Sequence, residues 1–315
     1  MTVQMHLSVV IVNWNSRLQL AETMASIVKF HHNLVSSVVI VDNASLDDSL
    51  DFLSKLPSTP FLLQIVRNTE NFGFGKACNQ GALQSVSKYV LFLNPDASLC
   101  ADTLPKALGF MQQSANASVG ICGVQLFDNS GHISRTCARF PSPLGLVARA
   151  IGMDRIYPRL GQTMGEWDHK QNRVVDQVIG AFLLVRRELF DALTGFDERF
   201  FVYFEEVDFS YRARRAGWQS AYLADAQAFH SGGGTSNQVK ARRLFYSLRS
   251  RLLYSFKHFS RLGALGVLLA TLFLEPVSRA VLALLRLSWP GLKETWLAYG
   301  MLWQDMAAIL RKSRQ

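Results

Sequence analysis

The chain is expected to fold as an α/β protein built on a mostly parallel sheet, with a basic helical extension at its C-terminal end. Three observations lead there. Four short apolar runs, Leu7–Val12, Ser37–Val41, Phe61–Val66 and Tyr89–Leu93, punctuate the first hundred residues, as do strands buried on both faces of a parallel sheet. Helix-forming stretches lie between them, and strand–helix alternation calls for right-handed βαβ crossovers. Charge is also divided: residues 1–235 carry 20 Lys+Arg against 21 Asp+Glu, and residues 236–315 carry 13 against 3. A domain over 1–235 and a helical, basic region over 236–315 are expected. With 315 residues, 49% hydrophobic and 18% charged, the chain can bury a large core and is not of disordered composition.

In order, Leu7–Val12 is the first strand, and Ser16–Phe30 follows as a helix with Leu18, Ala21, Ala25 and Val28 on one face. Ala44–Leu56 is expected to be helical, Ser45 capping it and Asp47 and Asp48 complementing its dipole. Gly75–Ser87 supplies the next helix. Tyr89–Leu93 is a strand halted at Asn94-Pro95, because proline cannot donate to a ladder. Ala101–Ala115 reads as a helix, Val119–Phe127 as a strand and Asp128–Gly131 as a hairpin-type turn. Pro141, Pro143 and Pro158 with scattered glycines make 140–172 a long irregular segment of the kind used as a substrate loop. Val174–Arg186 is strand-like around Gly180, Arg187–Leu193 a short helix ending at Gly195, and Phe209–Ala216 a further helix. Cys78, Cys100, Cys122 and Cys137 show no metal-ligand spacing, so free thiols of a reducing compartment are expected. The absence of a basic leader before Leu7 argues against a signal peptide. A cytoplasmic protein, peripheral on the cytosolic face of a membrane, is the expectation.

Each early strand ends in polar residues: Asn13, then Asp42 and Asn43, then Asn68 and Asn71, then Asn94 and Asp96. The carboxyl edge of an open α/β sheet is where ligands bind. Asn71-Phe72-Gly73-Phe74-Gly75 is neither a P-loop nor a clean dinucleotide fingerprint; a close backbone approach to a ligand and a plain turn both fit it. A second cluster, Phe200 to Asp208, sets three carboxylates after an aromatic run. Glu205 and Asp208 share a helical face and Glu206 points about 100° away. A carboxylate against aromatic rings is partly desolvated, which raises its pKa toward that of a useful general base; acids at a helix start also simply complement its dipole. The third element is His230, followed by Ser231-Gly232-Gly233-Gly234-Thr235. With Asp96 and diphosphate oxygens it forms a donor set for a hard cation, Mg²⁺ or Mn²⁺, no thiolate being placed to favour Zn²⁺.

V-V-I-V-N-W-N (9–15), V-D-N-A-S-x-D (41–47), N-x-G-F-G-x-A-C-N-x-G (71–81), L-N-P-D (93–96) and G-F-D-E-x-F-F-x-Y-F-E-E-V-D (195–208) together resemble family 2 of the inverting GT-A-fold glycosyltransferases, most nearly its rhamnosyltransferase-like branch. The resemblance runs from Leu7 to about Thr235 and implies a Rossmann-like sheet. It also implies a nucleotide-sugar donor, such as dTDP-rhamnose, a divalent cation and in-line displacement at the anomeric carbon. By the same resemblance Asn13 and Asp42 hold the nucleotide, with Asn71, Gly73, Asn79 and Asn94 in the donor-binding set. Asp96 is the metal ligand of an Asp-x-Asp motif whose first Asp is replaced by Asn94. His230 is the second metal and diphosphate ligand. Glu206 is the general base, with Asp208 as the alternative. A lipid-linked or cell-surface polysaccharide hydroxyl is the implied acceptor; Trp167, Phe201 and Tyr203 fit apolar surfaces for a sugar and fit core packing at least as well.

Lys240–Arg261 holds seven Lys/Arg and no acid. At 100° per residue, Phe245, Leu248, Leu252, Phe256 and Phe259 form one stripe, and Arg242, Arg243, Arg249, Arg251, Lys257 and Arg261 fill the remainder. That is a basic amphipathic helix for a membrane surface, or equally one packed on the preceding domain. Leu262–Leu274 is an uncharged run too short to span a bilayer, which takes about 20 residues, and Glu275-Pro276 interrupts it; a helix lying in the interface is expected. The aromatic residues sit on the apolar stripe, not among the cations, which excludes nucleic acid. Two rival readings are a sugar nucleotidyltransferase, which needs a Gly-rich basic loop where Asn13–Ser16 stands, and a non-catalytic membrane-docking scaffold, which needs none of the acidic positions.

Overall fold

The computed structural model describes residues 7–55, 59–232 and 240–312; Leu56 and the expected loop residues Gly233, Gly234 and Thr235 lie outside them. In chain order the elements are β1 (Leu7–Asn13), α1 (Leu18–His31), β2 (Val35–Asp42), β3 (Leu62–Arg67), α2 (Phe74–Leu83), β4 (Tyr89–Leu93), β5 (Ala97–Leu99) and α3 (Thr103–Gln112). They continue with β6 (Val119–Phe127), β7 (Cys137–Ala138), α4 (Pro143–Ala150), β8 (Arg173–Val175), β9 (Gln177–Val178), β10 (Phe182–Arg186), α5 (Arg187–Ala192), α6 (Glu205–Arg215) and β11 (Gln219–His230). Four helices close the chain: α7 (Lys240–His258), α8 (Arg261–Leu269), α9 (Glu275–Leu285) and α10 (Trp289–Lys312). Two compact units result. One comprises Met1–Ala138, Asp168–Glu198 and Glu205–Thr235; the other comprises Arg139–Trp167, Arg199–Phe204 and Ser236–Gln315.

The first unit is organised by a sheet of order β3-β2-β1-β4-β10-β6-β11-β5, with β8 beside β11. β3, β2, β1 and β4 run parallel, and β10 is antiparallel to β4 and β6. β1 and β4 are buried at every residue, which is why they read as unbroken apolar runs; the edge strand β3 leaves Leu62 and Ile65 exposed. α2 crosses β1 and β2 at very close range: a Cβ on Gly81 would collide with Val10 and come within 3.1 Å of Val41. That approach fixes α2, and the glycine loop at its start, over the ends of the two strands.

One expected helix is absent. Residues 44–50 form a loop, and only a 3₁₀ turn, Asp51–Lys55, follows it. Ser45 does not cap; its hydroxyl bonds Asn13 and the Asn15 backbone N–H, while Asp47 accepts from the backbone of Arg17 and Ser49. The polar groups that promised a helix start are used instead to join the loops after β1 and β2.

In the second unit the structure corrects the expected surface of α7. Residues 248–255 are buried all round, Arg249 and Arg251 included. Arg249 pairs with Asp305 of α10 at 2.7 Å. Arg251 pairs with Glu275 at 2.6 Å, and Arg279 bonds the same carboxylate. Burial pushes the Glu275 carboxyl up, and the two guanidiniums outweigh it, leaving it below the usual carboxylate range. Because the folded pKa is lowered, this contribution to stability is present above the unfolded carboxylate pKa and is lost as pH falls through the folded one. Arg251→Ala leaves Glu275 charged and half-partnered in the interior and is expected to cost about 3–5 kcal/mol in denaturant unfolding, whereas Arg251→Met with Glu275→Leu recovers most of it. Recovery failing in the double variant would show that the pair sets the fold of this unit and not only its charge balance.

The tail is also longer in helix than the sequence implied. α8, a π turn at Ala270–Leu274 and α9 form one continuous 25-residue helix, Arg261–Leu285, long and apolar enough to cross a membrane by length and composition. Glu275-Pro276 does not break it. Pro276 sits in the first turn of α9, directly after the π turn, a position where a missing N–H is tolerated.

Candidate active site

The loop after β1 and the loop after β2 are built around one buried amide. Asn13 Nδ2 donates to Asp42 Oδ1 at 2.7 Å, to Ser49 Oγ at 2.8 Å and to Ser45 Oγ at 3.0 Å, and its Oδ1 accepts from Ser16. The amide thereby orients Asp42 and ties it to the loop after β2. Asn15, Arg17 and Ala44, all in these loops, hold φ of 51°, 52° and 59°. Left-handed backbone at non-glycine residues is costly and concentrates at functional sites.

A second amide network closes the neighbouring strand ends. Asn68 Nδ2 donates to Asn43 Oδ1 and Gln80 Oε1, and Asn43 Nδ2 donates to the Gly73 carbonyl at 3.1 Å. Asn71 Oδ1 accepts from Gly73 N–H, and Gly73 holds φ 86° as the N-cap of α2. Asn71 and Gly73 therefore shape the glycine loop. Asn79 belongs elsewhere: its amide bonds both backbone groups of Phe196 and the Glu198 carboxylate. It fixes the turn after α5 and is removed from the donor-binding set.

At the end of β4 the sheet brings together residues far apart in sequence. β5 pairs antiparallel with β11, which sets Ala97 opposite His230, and Ser231 N–H donates to the Asp96 carbonyl. His230 Nε2 lies 3.1 Å from Asp96 Oδ1 and 3.3 Å from Asn94 Nδ2. No group of three or more His, Cys, Asp or Glu side chains suited to a metal occurs among the described residues. The Asp96–His230 pair nevertheless fits a hard cation. A carboxylate and an imidazole side by side are donors that Mg²⁺ or Mn²⁺ would accept, and such ions draw their other ligands from substrate phosphates and water.

The acidic cluster opens α6. Glu205 and Asp208 are buried on the inner face and Glu206 is half-buried beside them. Asp208 is ion-paired: Arg212 Nε donates to its Oδ2 at 2.7 Å, and the same guanidinium bonds the carbonyls of Leu193 and Gly195. This brace excludes Asp208 as the alternative base. The i, i+4 spacing of Asp208 and Arg212 was the sequence signal for it. Burial pushes the Glu205 carboxyl well up, and the Glu206 charge adds to that. Burial also raises Glu206, against the opposing pull of its own and Val207's backbone N–H at the helix start. Glu206 Oε2 is buried with no hydrogen-bond partner among the described residues. Tyr203 and Phe204, directly before the pair, both adopt left-handed φ, 67° and 70°. Of the aromatic residues considered for a sugar, Phe201 is stacked on Tyr246 with centroids 4.6 Å apart.

The mixed sheet with this layout is the GT-A glycosyltransferase fold. The family model for glycosyl transferase family 2 matches residues 8–194, and the chain belongs to that family. It is similar to the N-acetylglucosaminyl-diphospho-decaprenol L-rhamnosyltransferase of Mycobacterium tuberculosis, 26% identical over 233 residues that span 69% of this chain and 74% of that protein. It is also similar to rhamnosyltransferase WbbL of Escherichia coli K12, 26% identical over 174 residues, 53% of this chain and 61% of the relative. Among solved structures, the mannosyltransferase PcManGT from Pyrobaculum calidifontis, in complex with GDP-Man and Mn²⁺, superposes with a TM-score of 0.56 at 18% identity, over 98% of this chain and 86% of that one. The structural likeness concerns the fold; the family match agrees with the resemblance carried by the motifs.

Proposed function

We propose that the protein is a metal-dependent, inverting glycosyltransferase that moves a sugar, rhamnose from dTDP-rhamnose, to a hydroxyl of a lipid-linked or cell-surface polysaccharide acceptor at the cytosolic face of a membrane. The observation that carries this reading is the Asp96–His230 pair at the carboxyl end of the central strand, 3.1 Å apart. The rhamnosyl group is supported by the names of both relatives, the lipid-linked acceptor by that of the first, and a divalent cation by the Mn²⁺ of the structural neighbour.

In this mechanism Asp96 and His230 hold the cation. When bound, the cation offsets the charge that develops on the departing nucleoside diphosphate. Asp42, fixed by Asn13, faces the nucleoside, and the Asn71–Gly73 loop brings backbone close to the donor. Burial and the neighbouring Glu206 charge push the Glu205 carboxyl well up, so Glu206 is the acid of the pair proposed to carry the carboxylate. Its Oε2 takes the proton of the acceptor hydroxyl while that oxygen attacks the anomeric carbon and the bond from that carbon to the diphosphate oxygen breaks on the opposite face. The sugar inverts, the proton rests on Glu206 and the nucleoside diphosphate leaves.

A thermal-shift panel of dTDP, UDP and GDP and their sugars, each with and without Mn²⁺, tests the reading. The expected result is a dTDP-selective rise in melting temperature that needs the cation. A UDP- or GDP-selective rise replaces the donor, and no response to any nucleotide overturns the proposal.

A further inference from the structure

We propose that the second unit docks on an anionic phospholipid bilayer through the exposed face of the Arg261–Leu285 helix and the tryptophan row of α10, lying in the interface and not spanning it. This rests on and deepens the membrane-surface part of the reading above: it keeps the interface-lying helix expected after Arg261, drops α7, whose residues 248–255 are buried, and adds α10.

Leu265, Leu269, Phe273, Val277, Val281 and Leu284 are all exposed. They recur at three and four residues along a single helix, as one apolar stripe requires. The π turn keeps them in line. A straight α-helix would carry a stripe of this spacing around its axis by Leu284; one extra residue in the turn sets the second half back by about 100°, onto the face of the first. α10 continues the surface. Trp289, Trp296 and Trp303 lie seven residues apart and are 71%, 55% and 51% exposed. Phe273 and Trp303 meet edge to face at 6.2 Å, so the stripe and the row form one surface. Tryptophan with its polar N–H at the edge of an apolar surface is the composition of a bilayer interface.

Charge decides the occupant. Residues 236–315 carry 13 Lys+Arg and 3 Asp+Glu. Of those acids, Glu275 and Asp305 are tied up by Arg251 and Arg249, whereas Arg261, Arg286, Lys293 and Arg311 are exposed. A net-cationic apolar surface complements anionic headgroups and would be repelled by a second copy of itself. Spanning is disfavoured by the other side of the same helix: Ala264, Val267, Ala270, Thr271 and Leu272 are buried, and Glu275 would have to leave Arg251.

Flotation of the full chain with vesicles of phosphatidylethanolamine and phosphatidylglycerol, against vesicles of phosphatidylcholine alone, tests this. The wild type is expected to float with the first and several-fold less with the second. Trp289→Ser/Trp296→Ser/Trp303→Ser is expected to bind about tenfold more weakly or worse. The single variants Trp296→Ser and Leu284→Ser, which alter exposed side chains only, give smaller steps in the same direction if the triple variant melts early. Wild type remaining at the bottom of both gradients, or variants floating as well as wild type, overturns the proposal. So does a dimer dissociated by the tryptophan substitutions without vesicle binding, which would give the face to a second copy. Vesicle binding without transfer to a lipid-linked acceptor overturns the acceptor reading and leaves docking standing; transfer without vesicle binding does the reverse.

Discussion

Glu206→Gln is expected to lower sugar transfer about 10²–10⁴-fold, the usual contribution of a positioned general base, while nucleotide binding and melting temperature at neutral pH are kept or improved. The substitution is nearly isosteric and removes only the proton acceptor. Its stability effect has a definite sign. Glu206 has a raised folded pKa, so its neutral form favours the fold; that contribution is complete below the unfolded carboxylate pKa and is lost as pH rises through the folded one. The glutamine variant mimics the neutral form, so its advantage over wild type should appear on raising the pH and vanish in acid. For catalysis the same shift acts in reverse: wild-type kcat/KM should fall as pH drops through the raised pKa, and the variant's residual rate should lack that limb. Unchanged transfer in Glu206→Gln would remove the base from the mechanism. Glu205→Gln is the informative companion: Glu205 is raised by burial and by the Glu206 charge and is given no part in the proton transfer, so fixing its proton is expected to lower transfer far less than Glu206→Gln does.

The difference between these two acids shows what the sequence could and could not reveal. Helical spacing alone separated Glu206 from Glu205 and Asp208 onto another face, and the structure keeps that separation. β1 and β4 were legible for a similar reason: strands buried on both sides have to be apolar throughout, and Tyr89–Leu93 is bounded as expected. What failed was any feature whose partner lies far along the chain. Ser45 and Asp47 have the composition of a helix start, but they answer to Asn13, Asn15 and Arg17. Arg249 and Arg251 have the spacing of a solvated face, yet their carboxylates stand 56 and 24 positions away. Asn79 shares a motif with Asn71, but its partners lie more than a hundred residues on. Local pattern assigns a polar group to the nearest use, and a fold assigns it to the nearest neighbour in space.

His230 is the residue for which that distinction matters most, since only the β5–β11 pairing places it against Asp96. Asp96→Ala should reduce transfer about 10³-fold or more, because what it removes, a held divalent cation, is worth several kcal/mol of charge stabilisation on a leaving diphosphate. The variant should also lose the Mn²⁺-dependent part of the nucleotide thermal shift while keeping the part due to the nucleoside, which the proposed mechanism assigns to Asp42. His230→Ala should behave in the same way, more weakly if substrate oxygens or water can replace one neutral ligand better than one anionic ligand. The double variant decides between shared and separate roles. If both residues serve one cation, Asp96→Ala/His230→Ala should be scarcely worse than Asp96→Ala alone, since residues acting as a unit are strongly non-additive. Additive losses would separate them, leaving Asp96 with the cation and His230 with the diphosphate itself. Chelation with EDTA gives the independent control: it should bring the wild type down to the level of Asp96→Ala and leave that variant unchanged.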